Sequence, residues 1–565
     1  MGIGVLLAER GLISRAQLDE AIAEQRRTGE RLDRVLVRLG FVSRDDVLHA
    51  LGDQLHMEVV DLETTTAEPE VLGMLPAQLV YKQHCVPLRR ENGTLTVATS
   101  DPFELTALDE LKLLTGCSID LVLAGEEELH KFIRANYGVG GDTLDAMGQA
   151  DSAVEVKGAD GASGELEEAQ EASVIKLVND LLIEAVTERA TDVHIEPYER
   201  ELVVRYRIDG VLQRANVPAT IHRYASAIIS RLKIMANLNI AEKRTPQDGR
   251  ITFKHRFGSG PRAGQLHEFD LRVSVIPMLF GEGVVLRVLS KTAVLMELSD
   301  LGMPRGVLDR WMGVIKKPHG IVLVTGPTGS GKSTTLYASL NTIIDDEIKC
   351  ITVEDPVEYH VAGVNQIQVN TKVGLTFAAG LRSILRHDPD VVMVGEIRDK
   401  ETAETAVQAS LTGHLVFSTL HTNNAAGAVT RLTDMGVEPF LIASSVEGVL
   451  AQRLVRRVCS ECATAYTPDP SELPPDFTIG AGRKLTKGEG CRACRGTGYR
   501  GRVGVYEMLR VSHTVREMIM DRAAAPAIER RALEDDDLTT LKQDGFAKAI
   551  DGKTTIAEVG RALAV

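Results

Sequence analysis

Residues 326–334 read Gly326-Pro327-Thr328-Gly329-Ser330-Gly331-Lys332-Ser333-Thr334. They fit the phosphate-loop form G-x-x-x-x-G-K-[ST] on Gly326, Gly331, Lys332 and Ser333. The apolar run before the loop, Ile321-Val322-Leu323-Val324, predicts a buried strand, and Thr335-Leu336-Tyr337-Ala338 after it predicts a helix. That order makes a phosphate site, because the glycines let backbone N–H groups converge on phosphate oxygens at the positive end of the helix dipole. Lys332 is placed to reach the β- and γ-phosphates, and the Ser333 hydroxyl to join a Mg²⁺ shell. The chain is expected to bind ATP or a similar triphosphate. From about Leu301 strand-like and helix-like runs alternate, which predicts an α/β fold with a mainly parallel sheet covered by helices.

Hydrolysis needs an acid for the metal, a group to orient water and charge compensation at the γ-phosphate. Asp390-Val391-Val392-Met393-Val394-Gly395-Glu396 is a buried-strand run that ends in an acid, a Walker B–like layout. Cys350-Ile351-Thr352-Val353-Glu354-Asp355-Pro356-Val357-Glu358 is another strand. Pro356 stops it where the strand's carboxyl end meets the ligand crevice. Its carboxylates Glu354, Asp355 and Glu358 are expected to cluster there, to hold Mg²⁺ and orient a water. Thr412-Gly413-His414-Leu415-Val416-Phe417-Ser418-Thr419-Leu420-His421-Thr422 carries two histidines around a third strand. Its polar end, Ser418, Thr419, His421 and Thr422, predicts a γ-phosphate contact, with His421 the stronger candidate of the two histidines.

Cys459-x-x-Cys462 and Cys491-x-x-Cys494 stand 28 residues apart. Two such knuckles supply four thiolates for a closed, structural Zn²⁺ site that would fold segment 456–500, and a redox pair is the alternative. Cys85, Cys117 and Cys350 are single and read as small buried hydrophobes.

The chain has 565 residues, 44% hydrophobic and 25% charged, with a net charge of −15. That length predicts three to four domains, and the acidic balance argues against a nucleic-acid surface. No apolar run is long enough to span a bilayer, and no signal-peptide pattern opens the chain. A cytoplasmic protein, touching a membrane only through partners, is the expectation.

Gly11-Leu12-Ile13-Ser14-Arg15 recurs as Gly40-Phe41-Val42-Ser43-Arg44, a period of 29 residues. Each unit reads as two short amphipathic helices, so residues 1–60 predict a small helical domain and residues 61–137 a small α/β domain. Residues 138–171 hold seven glycines and nine acids against a single base, Lys157, and predict a flexible linker. A helix is expected from Ser173, followed by strands such as Leu202–Arg207 and Leu271–Val275.

The phosphate loop, the Asp-box at Ile351 to Glu358, the Walker B run at Asp388 to Asp399 and the His-box at Thr412 to Thr422 occur in the order of the type II secretion and type IV pilus ATPases. The chain resembles that family over residues 172–565. Ala190-Thr191-Asp192-Val193-His194-Ile195-Glu196-Pro197 and the Ala241 to Arg250 run resemble further family signatures. Pro318-His319-Gly320 and Ser333-Thr334-Thr335-Leu336-Tyr337 look more like the type II secretion E-component than like pilus-extension ATPases.

The resemblance implies a RecA-like motor domain (299–565) preceded by a PAS-like α+β domain (172–298). It also implies a homo-hexamer at the inner membrane, docked on the cytoplasmic parts of secretion components. Within it Glu358 is the water-activating base and Glu396 the Mg²⁺-associated acid. Arg272 and Arg287 reach the nucleotide as charge-compensating arginines, with Arg382, Arg386 and Arg398 as weaker candidates. The N-terminal repeat resembles paired motifs that bind cyclic di-GMP in some relatives and begin Arg-Leu-Gly. Here the two units read Gly2-Ile3-Gly4 and Arg31-Leu32-Asp33, and a lost cation and a gained acid favour protein docking. A pilus-extension ATPase and a non-hydrolysing nucleotide-sensing scaffold are the alternatives.

Overall fold

The computed structural model describes residues 3–103, 108–141, 143–144, 163–257, 266–290, 296–469, 471, 473–480, 482–535 and 538–564. They form two units, Met1–Val288 and Leu289–Val565.

In the first unit, the repeat becomes two helix–turn–helix pairs, Ile3–Glu9 with Arg15–Thr28 and Leu32–Arg38 with Arg44–Leu55. The repeated serines explain the repeated geometry. The Ser14 hydroxyl accepts from the Gln17 N–H at 3.2 Å, and the Ser43 hydroxyl from the Asp46 N–H at 3.1 Å. Each starts its second helix by taking up a donor the helix leaves unpaired. Leu7, Ala21, Val35, Leu36 and Ala50 close the core between the helices. A three-stranded sheet follows, of β1 (Cys85–Glu91), β2 (Thr94–Thr99) and β3 (Ser118–Leu123).

Val139 and Leu144 are buried against Val174, Leu177 and Leu181, and the following helix runs Ser163–Thr187, ten residues ahead of the Ser173 start. The stretch read as linker is therefore packed at Val139 and Leu144 and helical from 163. Composition averaged over the stretch hides two apolar side chains at one end. Residues 142 and 145–162 lie outside the described residues.

Next come β4 (Asp192–Pro197), β5 (Leu202–Ile208), β6 (Val211–Arg214), β7 (Gln247–Arg256), β8 (Leu266–Met278) and β9 (Gly281–Ser290). They form one sheet in the order β6-β5-β4-β9-β8-β7. Helices Ser163–Thr187 and Ala225–Met235 supply Leu181, Leu182, Ile228 and Leu232 to its core.

The second unit is built on β10 (Gly320–Thr325), β11 (Cys350–Glu354), β12 (Val364–Gln368), β13 (Val391–Val394), β14 (Leu415–Leu420), β15 (Val446–Val458) and β18 (Tyr499–Arg510). Their order is β12-β11-β13-β14-β10-β15-β18, parallel throughout except for the antiparallel edge strand β18. Both faces are covered, so the strands read as continuous apolar runs rather than alternating ones. Along β10, Ile321 and Leu323 enter one core and Val322 and Val324 the other. A further hairpin, β16 (Ala463–Tyr466) with β17 (Leu485–Gly488), lies between β15 and β18 in the chain.

Candidate active site

Parallel strands put their carboxyl ends on one side of a sheet, and ligands bind in the crevice there. β10, β11, β13 and β14 deliver in that way the phosphate loop, the Asp-box, Glu396 and His421. Gly326 has a φ of +151° and Gly331 of +89°, a region side chains resist. A Cβ on Gly326 would meet the Gln452 carbonyl oxygen at 2.5 Å. The loop can pass this close to β15 only as glycine.

Lys332 opens the helix Lys332–Ile343. Its ammonium donates to the carbonyl oxygens of Gly326 at 2.9 Å and Pro327 at 3.0 Å. Burial, the largest influence, pulls the ammonium down to about 8, opposed by the charge of Glu396 and aided by that of Arg453. The Ser333 hydroxyl lies exposed in the first turn. Thr325 ties the loop's strand to the His-box, its hydroxyl 2.7 Å from that of Thr422 and accepting from the Thr422 N–H at 2.9 Å.

Glu396 leaves β13 into the crevice, with one oxygen 2.5 Å from Arg398 and the other 3.4 Å from His421 Nε2. His421 thus joins the Walker B acid, and of the weaker arginine candidates Arg398 stands at the site. Arg382 pairs instead with Glu401 at 2.5 Å, and Arg386 donates to the Arg382 carbonyl at 2.7 Å.

Three expectations fail, each because the polar group is already satisfied by a neighbour in the fold. Glu354 is 4% exposed and accepts from Tyr337, from Thr352 at 2.6 Å and from Gln366 at 3.1 Å. Asp355 and Glu358 lie past the strand end. Ser418 and Thr419 donate to the Val394 carbonyl at 2.8 Å and the Gly395 carbonyl at 2.7 Å, stitching β14 to β13 rather than facing a ligand. His414 Nδ1 lies 2.8 Å from the Ala409 carbonyl and so finishes the helix Lys400–Leu411. Glu358 is half-buried, and its N–H donates to the Tyr337 hydroxyl at 3.4 Å.

Two residues of the site carry no motif. Gln452, 1% exposed, donates to the Ser330 carbonyl at 2.6 Å and accepts from Thr335 at 2.7 Å, so β15 holds the phosphate loop from behind. Arg453 beside it is 4% exposed. Their signal was present, since two long polar side chains interrupt the apolar Val449-Leu450-Ala451 and Leu454-Val455, and buried polar groups need partners.

Arg272 lies on β8 opposite Arg250, and Arg287 on β9 holds Asp192 at 3.0 Å. Both belong to the first unit.

The four cysteines come together with all ligand atoms within 4.8 Å, the only such group of metal-binding side chains among the described residues. The sulfurs of Cys459 and Cys491 lie 3.8 Å apart, as do those of Cys462 and Cys494, and those of Cys491 and Cys494 lie 3.7 Å apart. A tetrahedron of Zn–S bonds of about 2.3 Å requires roughly 3.8 Å between sulfurs. The donor set fits zinc.

Residues 167–561 match the family model of type II/IV secretion system proteins. The chain belongs to that family. It is an ATPase of the secretion and pilus class, with an N-terminal MshEN domain matched over residues 55–143. The type IV pilus assembly ATPase PilB of Myxococcus xanthus is 42% identical over 566 residues, 99% of this chain and 98% of that one. Type II secretion system protein E of Xanthomonas campestris is 43% identical over 575 residues, 98% of this chain and 97% of that one. Type II secretion system ATPase E of Vibrio cholerae is 50% identical, over 70% of this chain and 76% of its own length. Among solved structures, the Legionella pneumophila ATPase DotB superposes with a TM-score of 0.50 at 21% identity, covering 68% of this chain and 94% of that one. The likeness to DotB is one of fold.

Proposed function

We propose that the chain is the hexameric motor of a type II secretion system, hydrolysing ATP to drive pseudopilus assembly and protein export. The observation that carries the reading is the meeting of phosphate loop, Glu396 and His421 at the carboxyl ends of one parallel sheet. The type II–like flanks of the loop, Pro318-His319-Gly320 and Ser333 to Tyr337, support the choice of machine.

In this reading backbone N–H groups of 326–331 and Lys332 take the phosphates, while Ser333 and Glu396 hold Mg²⁺. Mg²⁺ would neutralise charge developing on the phosphoryl oxygens. Glu358, past the end of the Asp-box strand rather than in it, accepts the proton of the attacking water. His421 and Arg398 orient Glu396 from either side. Arg272 and Arg287 bring positive charge from the PAS-like domain, since a guanidinium fork suits phosphate oxygens. Cys459, Cys462, Cys491 and Cys494 would hold a Zn²⁺ that stabilises segment 456–500. The protein works at the cytoplasmic face of the inner membrane through partner proteins, with no nucleic-acid partner. No helix among the described residues is long and apolar enough to cross a membrane.

The N-terminal region serves docking in this reading. Arg31, the one arginine of the repeat positioned for a cyclic dinucleotide, is spent on Asp101 at 2.7 and 2.8 Å and on Asp33 at 2.7 Å. A pilus-extension motor is the second reading, favoured by the end-to-end match to PilB. Deleting the gene and restoring it as wild type or Glu358→Gln decides between them. Lost protein export with surface pili intact, restored only by wild type, is expected. Lost pili with export intact would transfer the chain to the pilus machine.

A further inference from the structure

Arg453 is a buried guanidinium without a matching acid. Nη1 donates to the Gln452 carbonyl at 3.2 Å, and Nη2 reaches the Asn423 carbonyl at 3.2 Å and side-chain oxygen at 3.3 Å. Its Nε has no hydrogen-bond partner, and no carboxylate pairs with it among the described residues. Burying a cation on neutral acceptors alone is unfavourable, so the fold keeps this charge against a penalty.

Glu507 on β18 is the acid that acts on it electrostatically. That carboxylate is committed elsewhere. It accepts from the Ala425 N–H at 2.7 Å and the Leu541 N–H at 3.2 Å, the first residues of two helices. The guanidinium instead lies under the first glycine of the phosphate loop, where a Cβ on Gly326 would stand 3.2 Å from Nη1. Through Asn423 it also grips the turn that follows His421 and Thr422.

We propose that Arg453 is a positioning residue for the nucleoside triphosphate. From behind the loop it supplies fixed positive charge, and it anchors the Asn423 turn to β15 beside that loop, so that phosphate charge is balanced through the loop without direct contact. The proposal rests on the reading of 326–334 as the triphosphate site. A fixed charge one loop away acts on bound and transition states alike, so its loss appears in KM more than in kcat. A residue that merely packed would show its loss in thermal stability, and Lys in its place would not restore function.

Steady-state hydrolysis and ATP and ADP affinities of full-length wild type, Arg453→Met, Arg453→Gln and Arg453→Lys test it, with melting temperatures alongside. Removing the charge should raise KM for ATP about tenfold and weaken ATP more than ADP. It should leave kcat within about threefold and the melting temperature equal or higher. Arg453→Lys should recover most of the KM. Active wild type with unchanged KM in both neutral variants would overturn the proposal, as would a lower melting temperature with KM unrescued by Lys. Wild type that neither binds nor hydrolyses ATP would overturn the nucleotide site itself, and with it the premise.

Discussion

At Lys332 burial and charge act in opposite directions. Desolvation brings the ammonium down to about 8 while Glu396 resists. A bound triphosphate favours the charged form, so the proton is held more tightly in the complex than in the nucleotide-free chain. Linkage then fixes the sign: affinity is flat below about pH 8 and falls above it, as binding must take up the proton. Titration of a fluorescent ATP analogue between pH 7 and pH 9 should show a loss of about tenfold. Lys332→Arg, charged throughout, should show no alkaline fall if it binds. A flat wild-type profile would contradict the account of Lys332. The same balance explains what was legible at this scale. Lys332, Glu396 and His421 could be placed because a motif fixes both residue and spacing. Glu354, Ser418 and Thr419 were misassigned because sequence shows a polar strand end but not its neighbour. Only the fold reveals that Tyr337, Thr352 and the β13 carbonyls satisfy them.

Among the elements, the β15–β18 ribbon links two sites that the sequence presents as separate. β15 passes the phosphate loop at Gln452 and Arg453 and ends one residue before Cys459, while β18 starts five residues after Cys494 and carries Glu507. Val458 pairs with Tyr499 and Ala451 with Glu507, so the ladder is nearly continuous from the cysteines to the loop. Between the knuckles, the hairpin β16–β17 shares only a small core, Phe477 and Leu485 with Ala549 and Ile556. In the proposed reading a bound metal would supply what that core lacks. Purified protein should release one zinc per chain to a thiol-reactive mercurial, and amide exchange across 459–498 should then accelerate by at least about a hundredfold. Exchange in β10 and β14 should stay slow. Unchanged protection across 459–498 after metal removal would show that the cysteines do not hold the segment. The strands of the motor sheet were readable because burial on both faces leaves uninterrupted apolar runs. The ribbon was not, because its antiparallel pairing joins residues up to about sixty positions apart in the chain.

Over the whole molecule, residues 1–288 hold the MshEN-matched region and the six-stranded sheet, and residues 289–565 the ATPase sheet with its four clustered cysteines. The order of these parts could be read from repeat period, acidic composition and motif order. The helix from Ser163 and the packing of Val139 and Leu144 could not, since a few apolar contacts decide them against the average composition. The arginines at 272 and 287 belong to one unit and the phosphate loop to the other. The central claim is that this crevice hydrolyses ATP with Glu358 as base. Phosphate release from purified wild type beside Lys332→Ala and Glu358→Gln measures it most directly. The account predicts steady wild-type turnover, no ATP binding in Lys332→Ala, and ATP bound with turnover lowered about a hundredfold or more in Glu358→Gln. Wild-type release no faster than that of either variant would contradict it.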